Sequence, residues 1–317
     1  GLWRTIRADS AHRHRAGCRT SAGALAAHEI DRLMARILGV GIATLDWVFE
    51  VDHYPQENEE MRAQALRVAR GGNASNSLVM LAQLGHQCDW AGVIAEAPES
   101  QIIRDNLTRF GVSTAHCVTR PGRPPTSSIL LSPSGARTIV HYRDLAEFDY
   151  ADFERIDLAP FDWLHFEGRN IPELEKMLRH ARATRPDLNI SLEAEKPRDK
   201  LEAVLGLPSV LLLSRALAHQ RGFDDPIAFL QAMRSDAPNA ELFLGWGDQG
   251  AFALDRNGTL YQSPAFPPAH IVDTVGAGDT FNAGIIDGLV RGLPLEETLD
   301  HACRLAGKQC GVAGFGL

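Results

Sequence analysis

Asp279 closes the run Gly276-Ala277-Gly278-Asp279 at what reads as a helix start, inside Val272-Asp-Thr-Val-Gly-Ala-Gly-Asp-Thr-Phe-Asn-Ala-Gly284. Small residues let backbone N–H groups approach an anion, and a helix N-terminus favours negative charge. A carboxylate there can take a proton from an attacking hydroxyl while the N–H groups hold a transferring phosphoryl group. Phosphoryl transfer needs mainly positioning and charge stabilisation, so these are its essential parts. Taken alone, the four residues also describe a tight turn with an N-cap aspartate.

The second chemical segment is Arg70-Gly-Gly-Asn-Ala-Ser-Asn76. Asparagine amides both donate and accept, which suits sugar hydroxyls, and the paired glycines let a ligand approach the backbone. Alone, it also reads as a glycine turn with asparagine caps.

Both segments need a scaffold. Residues 37–42, 88–94, 163–166, 190–193, 210–213, 241–244 and 251–254 are short apolar runs expected as strands. Helices are expected from 73 to Gly85, at 100–110, 172–184, 198–205, 279–291 and 295–311. This alternation implies an α/β fold, a mostly parallel sheet covered by helices on both faces. Residues 45–70 and 125–142 follow a two-residue period instead, with turns at 55–60 and 133–135, and suggest a small separate sheet.

The segment Asp273–Gly284 resembles the C-terminal motif of the ribokinase-like carbohydrate kinases, in which the Asp of Gly-Ala-Gly-Asp is the base. Residues 70–77 resemble the ketohexokinase form of that superfamily's N-terminal motif. Further similarity lies in Trp163-Leu-His-Phe-Glu-Gly-Arg-Asn170, Glu193-Ala-Glu-Lys-Pro-Arg198, Ala265-Phe-Pro-Pro268 and Ala306-Gly-Lys-Gln-Cys-Gly311. It runs from about residue 37 to 316.

The resemblance implies a ribokinase-like sandwich with a small β-sheet lid, MgATP as phosphoryl donor and a neutral sugar as acceptor, D-fructose at its 1-hydroxyl. Asp279 would be the base, with Gly276, Ala277 and Gly278 forming the anion hole. Asp46, Gly72, Asn73 and Asn76 would bind the sugar. Arg137, Arg215 and the loop Trp246, Gly247, Asp248, Gln249, Gly250 would hold the nucleotide, with Mg²⁺ near Glu167 and Arg169. Activation by K⁺ is left open. The lid would pair two copies into a homodimer, each lending a residue to the other's sugar site. That residue is acidic in the family and matches Asn58 here. Ser214-Arg215 also departs from the family's Ser-Lys, and the loop 245–250 differs in detail.

Two other readings stay open: a different acceptor (ribose, a deoxy-keto sugar acid, a nucleoside or a phosphosugar), and a binding protein without catalysis. An acidic acceptor would need extra cations, and the sequence around Asp46 and 72–76 supplies only Arg70. A nucleoside would need an aromatic wall, for which Trp47 and Phe49 are available.

The 317 residues are 44% hydrophobic and 23% charged, with a net charge of −8. This is globular composition with no general electrostatic attraction to nucleic acid or anionic membrane. There is no run of eighteen apolar residues, no GxxxxGK[ST], and no GxGxxG after the first strand. Five cysteines without metal or CxxC spacing suit a reducing cytoplasm. Residues 1–34 are Arg-rich, like a transit peptide, and lack core pattern, while Met34 directly precedes the first strand-like run. Much of 1–34 is expected to be a non-native or mis-assigned extension, the alternative being a genuine tail, with the kinase domain over 35–317.

Overall fold

A computed structural model describes residues 34–314, so the expectation for the N-terminal extension falls outside the described residues. The first half of the chain comprises β1 (Arg36–Val40), β2 (Thr44–Glu50), β3 (Ala65–Gly71), α1 (Asn73–Gln83), β4 (Gln87–Ala91), β5 (Val93–Ala95), α2 (Ser100–Arg109) and β6 (Val112–Ser113). Then come β7 (Val118–Arg120), β8 (Thr126–Leu131), β9 (Arg137–Tyr142), α3 (Tyr150–Phe153), β10 (Trp163–Glu167) and α4 (Ile171–Thr184). The second half comprises β11 (Asn189–Ala194), α5 (Glu202–Leu205), β12 (Val210–Ser214), α6 (Arg215–Gln220), α7 (Pro226–Asp236) and β13 (Glu241–Gly245). It closes with β14 (Ala251–Leu254), β15 (Leu260–Ser263), α8 (Ala277–Val290) and α9 (Leu295–Gln309).

The main sheet runs β15-β14-β13-β12-β11-β10-β1-β4-β6. It is parallel from β6 to β13, and β14 and β15 are antiparallel. Its strands bury both faces, which explains their continuous apolar runs. In β1, Leu38 and Val40 join the core beneath α4 and α7, while Ile37 joins the core beneath α1, α8 and α9. The expected doubly covered α/β sheet is therefore observed.

A second sheet, β3-β2-β8-β9, carries the two-residue period. Its β2–β3 and β8–β9 pairs are antiparallel, and β2–β8 is parallel. Asp46, Ser127 and His141 are register partners and share one face, as do Trp47, Ser128 and Val140 on the other.

Some boundaries differ from expectation. The strand expected from 61 begins at Ala65, because its partner β2 ends at Glu50, the register mate of Ala65. The helix expected over 198–205 is confined to Glu202–Leu205. Pro197 precedes it, and Lys200 sits at φ 62, outside helical geometry. Helices α6 and α7 were not expected. Ser214 caps α6 through Leu217 N–H at 3.0 Å, and Asp225 caps α7 through Ala228 N–H at 2.6 Å, with Pro226 at its first position.

Candidate active site

A cleft of about 1010 Å³ opens beyond the C-terminal ends of the parallel strands and is walled on one side by the inner face of the small sheet. Open α/β sheets bind ligands at that end. Ile42 beyond β1, Glu167 on β10, Glu193 on β11, Ser214 on β12 and Gly245 on β13 all line it.

At one end stand Asp46, Gly72, Asn73, Asn76 and Asp279. Asp46 Oδ1 accepts from Thr44 Oγ at 2.9 Å. A Cβ at Gly71 would overlap the Asp46 carboxylate and the Thr44 hydroxyl. Gly72 lies at φ 107, and a Cβ there would overlap the Ile42 carbonyl. The glycine pair therefore lets the start of α1 abut β1 and β2. Asn73 Nδ2 donates to Glu193 Oε1 at 3.1 Å and to Glu195 Oε2 at 3.0 Å, leaving its Oδ1 as the group available to a ligand.

Asn76 is held from both sides. Its Nδ2 donates to Asp279 Oδ2 at 2.7 Å, and its Oδ1 accepts from Arg70 Nη1 at 2.7 Å. Asn76 thus braces Asp279 and has less to offer a sugar than its residue type promised. Asp279 sits in the first turn of α8, whose N-cap Gly276 has φ 79 and whose N-terminus carries no side-chain cap. The first N–H groups of this 14-residue helix are the expected anion cradle. Ser77 Oγ fixes the turn by donating to the Asp279 carbonyl at 3.1 Å.

Burial pushes the Asp279 carboxyl up to about 7; the Asn76 hydrogen bond opposes this, the charges of Glu195 and Glu167 reinforce it, and Arg70 pulls it down. Glu193 is buried, and its Oε2 has no hydrogen-bond partner. Burial and then the charges of Asp279, Glu195 and Glu167 raise it well above the usual carboxylate range. A neutral Glu193 beside a titrating Asp279 is what two close buried carboxyl groups require. Glu167 accepts from Ile42 N–H at 3.1 Å and from Arg169 Nη1 at 2.9 Å, so both of its oxygens are engaged.

At the other end, Arg215 Nη1 donates to the Trp246 carbonyl at 3.2 Å and to Asp248 Oδ1 at 3.1 Å. Gly247, Asp248 and Gly250 line the cleft, as do Phe266, Cys303 and Ala306. Trp246 and Gln249 are absent from this wall. Trp246 is buried, with its ring 5.4 Å from His219. Arg137, on β9, reaches Thr274 Oγ1 at 3.5 Å, just before the anion cradle. Asn58 lies exposed at φ 66 in the loop after β2 and does not line this chain's own cleft.

Arg70 does not line the cleft, whereas His141, Arg143, Arg169, Lys196 and Arg198 do. Burial and the neighbouring Arg169 and Arg143 hold His141 below its usual value, a sign of local positive potential. Sequence distance hid this group, because Arg143 follows β9, Arg169 lies in the turn after β10, and Lys196 and Arg198 lie in the turn after β11. The segments Glu167–Asn170 and Glu193–Arg198 signalled it only as resemblances.

Comparison with known proteins matches the model of the pfkB family carbohydrate kinases over residues 34–316. Mouse ketohexokinase is 38% identical over 290 residues, covering 88% of this chain and 97% of that protein. Bacillus subtilis ribokinase is 25% identical, covering 89% of this chain and 94% of that one. Among solved structures, Arabidopsis thaliana ribokinase complexed with ribose and ATP superposes with a TM-score of 0.73 at 19% identity, covering 89% of this chain and 94% of that one.

Proposed function

The chain belongs to the pfkB family of carbohydrate kinases, and we propose that it transfers the γ-phosphoryl group of ATP to the 1-hydroxyl of D-fructose. The observation that carries this reading is the buried Asp279 carboxyl at the uncapped start of α8, in one cleft with Asp46 and Asn73. The likeness to mouse ketohexokinase supports the choice of sugar. The kinase domain spans 35–317, with lid segments at 45–70 and 125–142.

Asp46 and the Asn73 carbonyl hold the sugar, and Asn76 contributes by fixing the base. Asp279 takes the proton of the attacking hydroxyl through Oδ1, since Oδ2 is held by Asn76. The oxygen attacks the γ-phosphorus as the bond to ADP breaks, and the N–H groups at 276–279 receive the transferring group's charge. Arg137 and Arg215 sit where the nucleotide's phosphates and base-side loop would lie. Mg²⁺ enters as MgATP and neutralises phosphate charge. Among the described residues no three His, Cys, Asp or Glu side chains form a metal-holding group of their own.

The outer face of the small sheet supports a homodimer. Leu66 is 52% exposed, Val140 68% and Tyr142 64%, on the face that also carries Trp47 and Phe49. A second copy's Asn58 would then reach this chain's sugar. Light scattering of the wild type and Val140→Asp checks it: a dimer that dissociates supports the pairing, and a wild-type monomer removes it.

A second reading, an acceptor that carries a carboxylate or phosphate, is favoured by His141, Arg143, Lys196 and Arg198 in the cleft. An ADP-release assay across neutral sugars, sugar acids and sugar phosphates, with NMR of the phosphorylated carbon, separates the two. Fructose 1-phosphate as the preferred product supports the first reading, and turnover confined to anionic acceptors supports the second.

A further inference from the structure

Arg70 lies outside the cleft yet is 5% exposed and directed at the catalytic corner. Its Nη1 donates to Asn76 Oδ1 at 2.7 Å and to Ser75 Oγ at 2.6 Å, and its Nε donates to Asn106 Oδ1 at 2.8 Å. These acceptors are neutral. What Arg70 adds is charge, and the carboxylates that feel it are Asp279 and Asp46.

We infer that Arg70 is a positioning residue that acts through the Asn76 amide to keep the Asp279 carboxylate ionised and turned with Oδ1 toward the acceptor. This rests on the reading of Asp279 as the base. The amide is a polar link with fixed direction: the cation on Asn76 Oδ1 polarises it and strengthens the Nδ2–H bond to Asp279 Oδ2. With both ends occupied at 2.7 Å, Asn76 cannot flip without facing its amide hydrogens toward Arg70.

The need for such a cation follows from what surrounds Asp279. From β10 it faces Glu167, and from β11 and the turn after it Glu193 and Glu195. From α1 it receives only the neutral Asn76 and Ser77. The charges of Glu195 and Glu167 favour the protonated form, in which the base is inactive. Arg70, from β3, is the cation that opposes them. Asp46, on β2, shares its field.

The experiment is a ¹³C NMR titration of aspartate carboxyl carbons in the full chain, with Asp279 assigned by its loss in Asp279→Asn. Wild type, Arg70→Lys, Arg70→Met, Asn76→Ser and the Arg70→Met/Asn76→Ser double variant are compared. The expected result is an Asp279 midpoint higher by about one pH unit or more in Arg70→Met, the scale of losing a nearby opposite charge. Arg70→Lys should restore part of it. Asn76→Ser should move it the same way, and the double variant should move it little further, since both act through one link. The acid limb of kcat with D-fructose and MgATP should follow, so that the loss in Arg70→Met shrinks as pH rises. An unmoved midpoint in Arg70→Met, or shifts that add in the double variant, would overturn the inference. If Arg70→Met does not fold, an unmoved midpoint in Asn76→Ser overturns it. The two readings fail separately: full turnover in Asp279→Asn removes the base and leaves the titration to be judged by itself.

Discussion

Arg67 on β3 donates to Asp273 Oδ2 at 2.6 Å, joining residues 206 positions apart. Asp273 is buried, and its other oxygen accepts from Val275 N–H at 2.8 Å, one residue before the N-cap of α8. The small sheet is therefore latched to the turn that leads into α8. A partly exposed pair of this kind is worth up to about 1 kcal/mol. Arg67→Met should raise KM for both substrates by about five-fold with a smaller change in kcat. Steady-state kinetics check this, and unchanged KM values would mean that the latch does not position the small sheet for binding.

Asp279 should be a liability for stability. Burial raises its carboxyl in the folded state, so the native protein holds a proton between the ordinary carboxylate range and about pH 7 that the unfolded chain has released. Stability falls as pH rises through that window, and the loss persists above it. Asp279→Asn removes the penalty. Its melting temperature should exceed the wild type's by several degrees at pH 8 and converge with it near pH 4, as read by calorimetry.

Gly72 combines φ 107 with backbone contact against Ile42. Gly72→Ala should cost about 1–3 kcal/mol and remove acceptor turnover, because the start of α1 must shift. Gly71→Ala meets side chains instead, those of Asp46 and Thr44, so it should fold and raise KM for the sugar. Denaturant melts paired with kinetics distinguish these outcomes.

Asp287, on α8, accepts from His86 Nε2 at 2.8 Å, His301 Nε2 at 2.7 Å and Arg291 Nε at 2.6 Å. His86 Nδ1 accepts from Ala35 N–H at 3.1 Å, so Nε2 carries the proton. These donors overcome burial and hold the Asp287 carboxyl well below its usual range. Its stabilisation is present above the ordinary carboxylate range and is lost as pH falls below it. Asp287→Asn should cost about 3–5 kcal/mol near neutral pH, the scale of breaking a buried pair. A denaturant midpoint within error of wild type would contradict this.

The fold was legible where sequence carries period. The continuous apolar runs of β1 and β10–β13 announce a doubly covered sheet, and the alternation in 45–70 and 125–142 announces the small one. Asp225-Pro226 is a local signal for α7, a capping residue followed by proline at the first helical position. The candidate site was legible at one end, in Asp279 and in Asn73 and Asn76, because each lies in a dense motif. The work of Asn76 was not, because its partners Arg70 and Asp279 converge only in three dimensions. Arg143, Lys196 and Arg198 line one cleft for the same reason, from segments distant in sequence. Trp246 differs from its loop neighbours, which line the cleft, because its own ring turns into the core.

The role of Asp279 as the base of a sugar kinase is decided by the turnover of Asp279→Asn. Coupled ADP release with D-fructose and MgATP should fall by about 10²–10⁴ relative to wild type, in a variant whose melting curve shows it folded. Turnover within a few-fold of wild type would contradict the account.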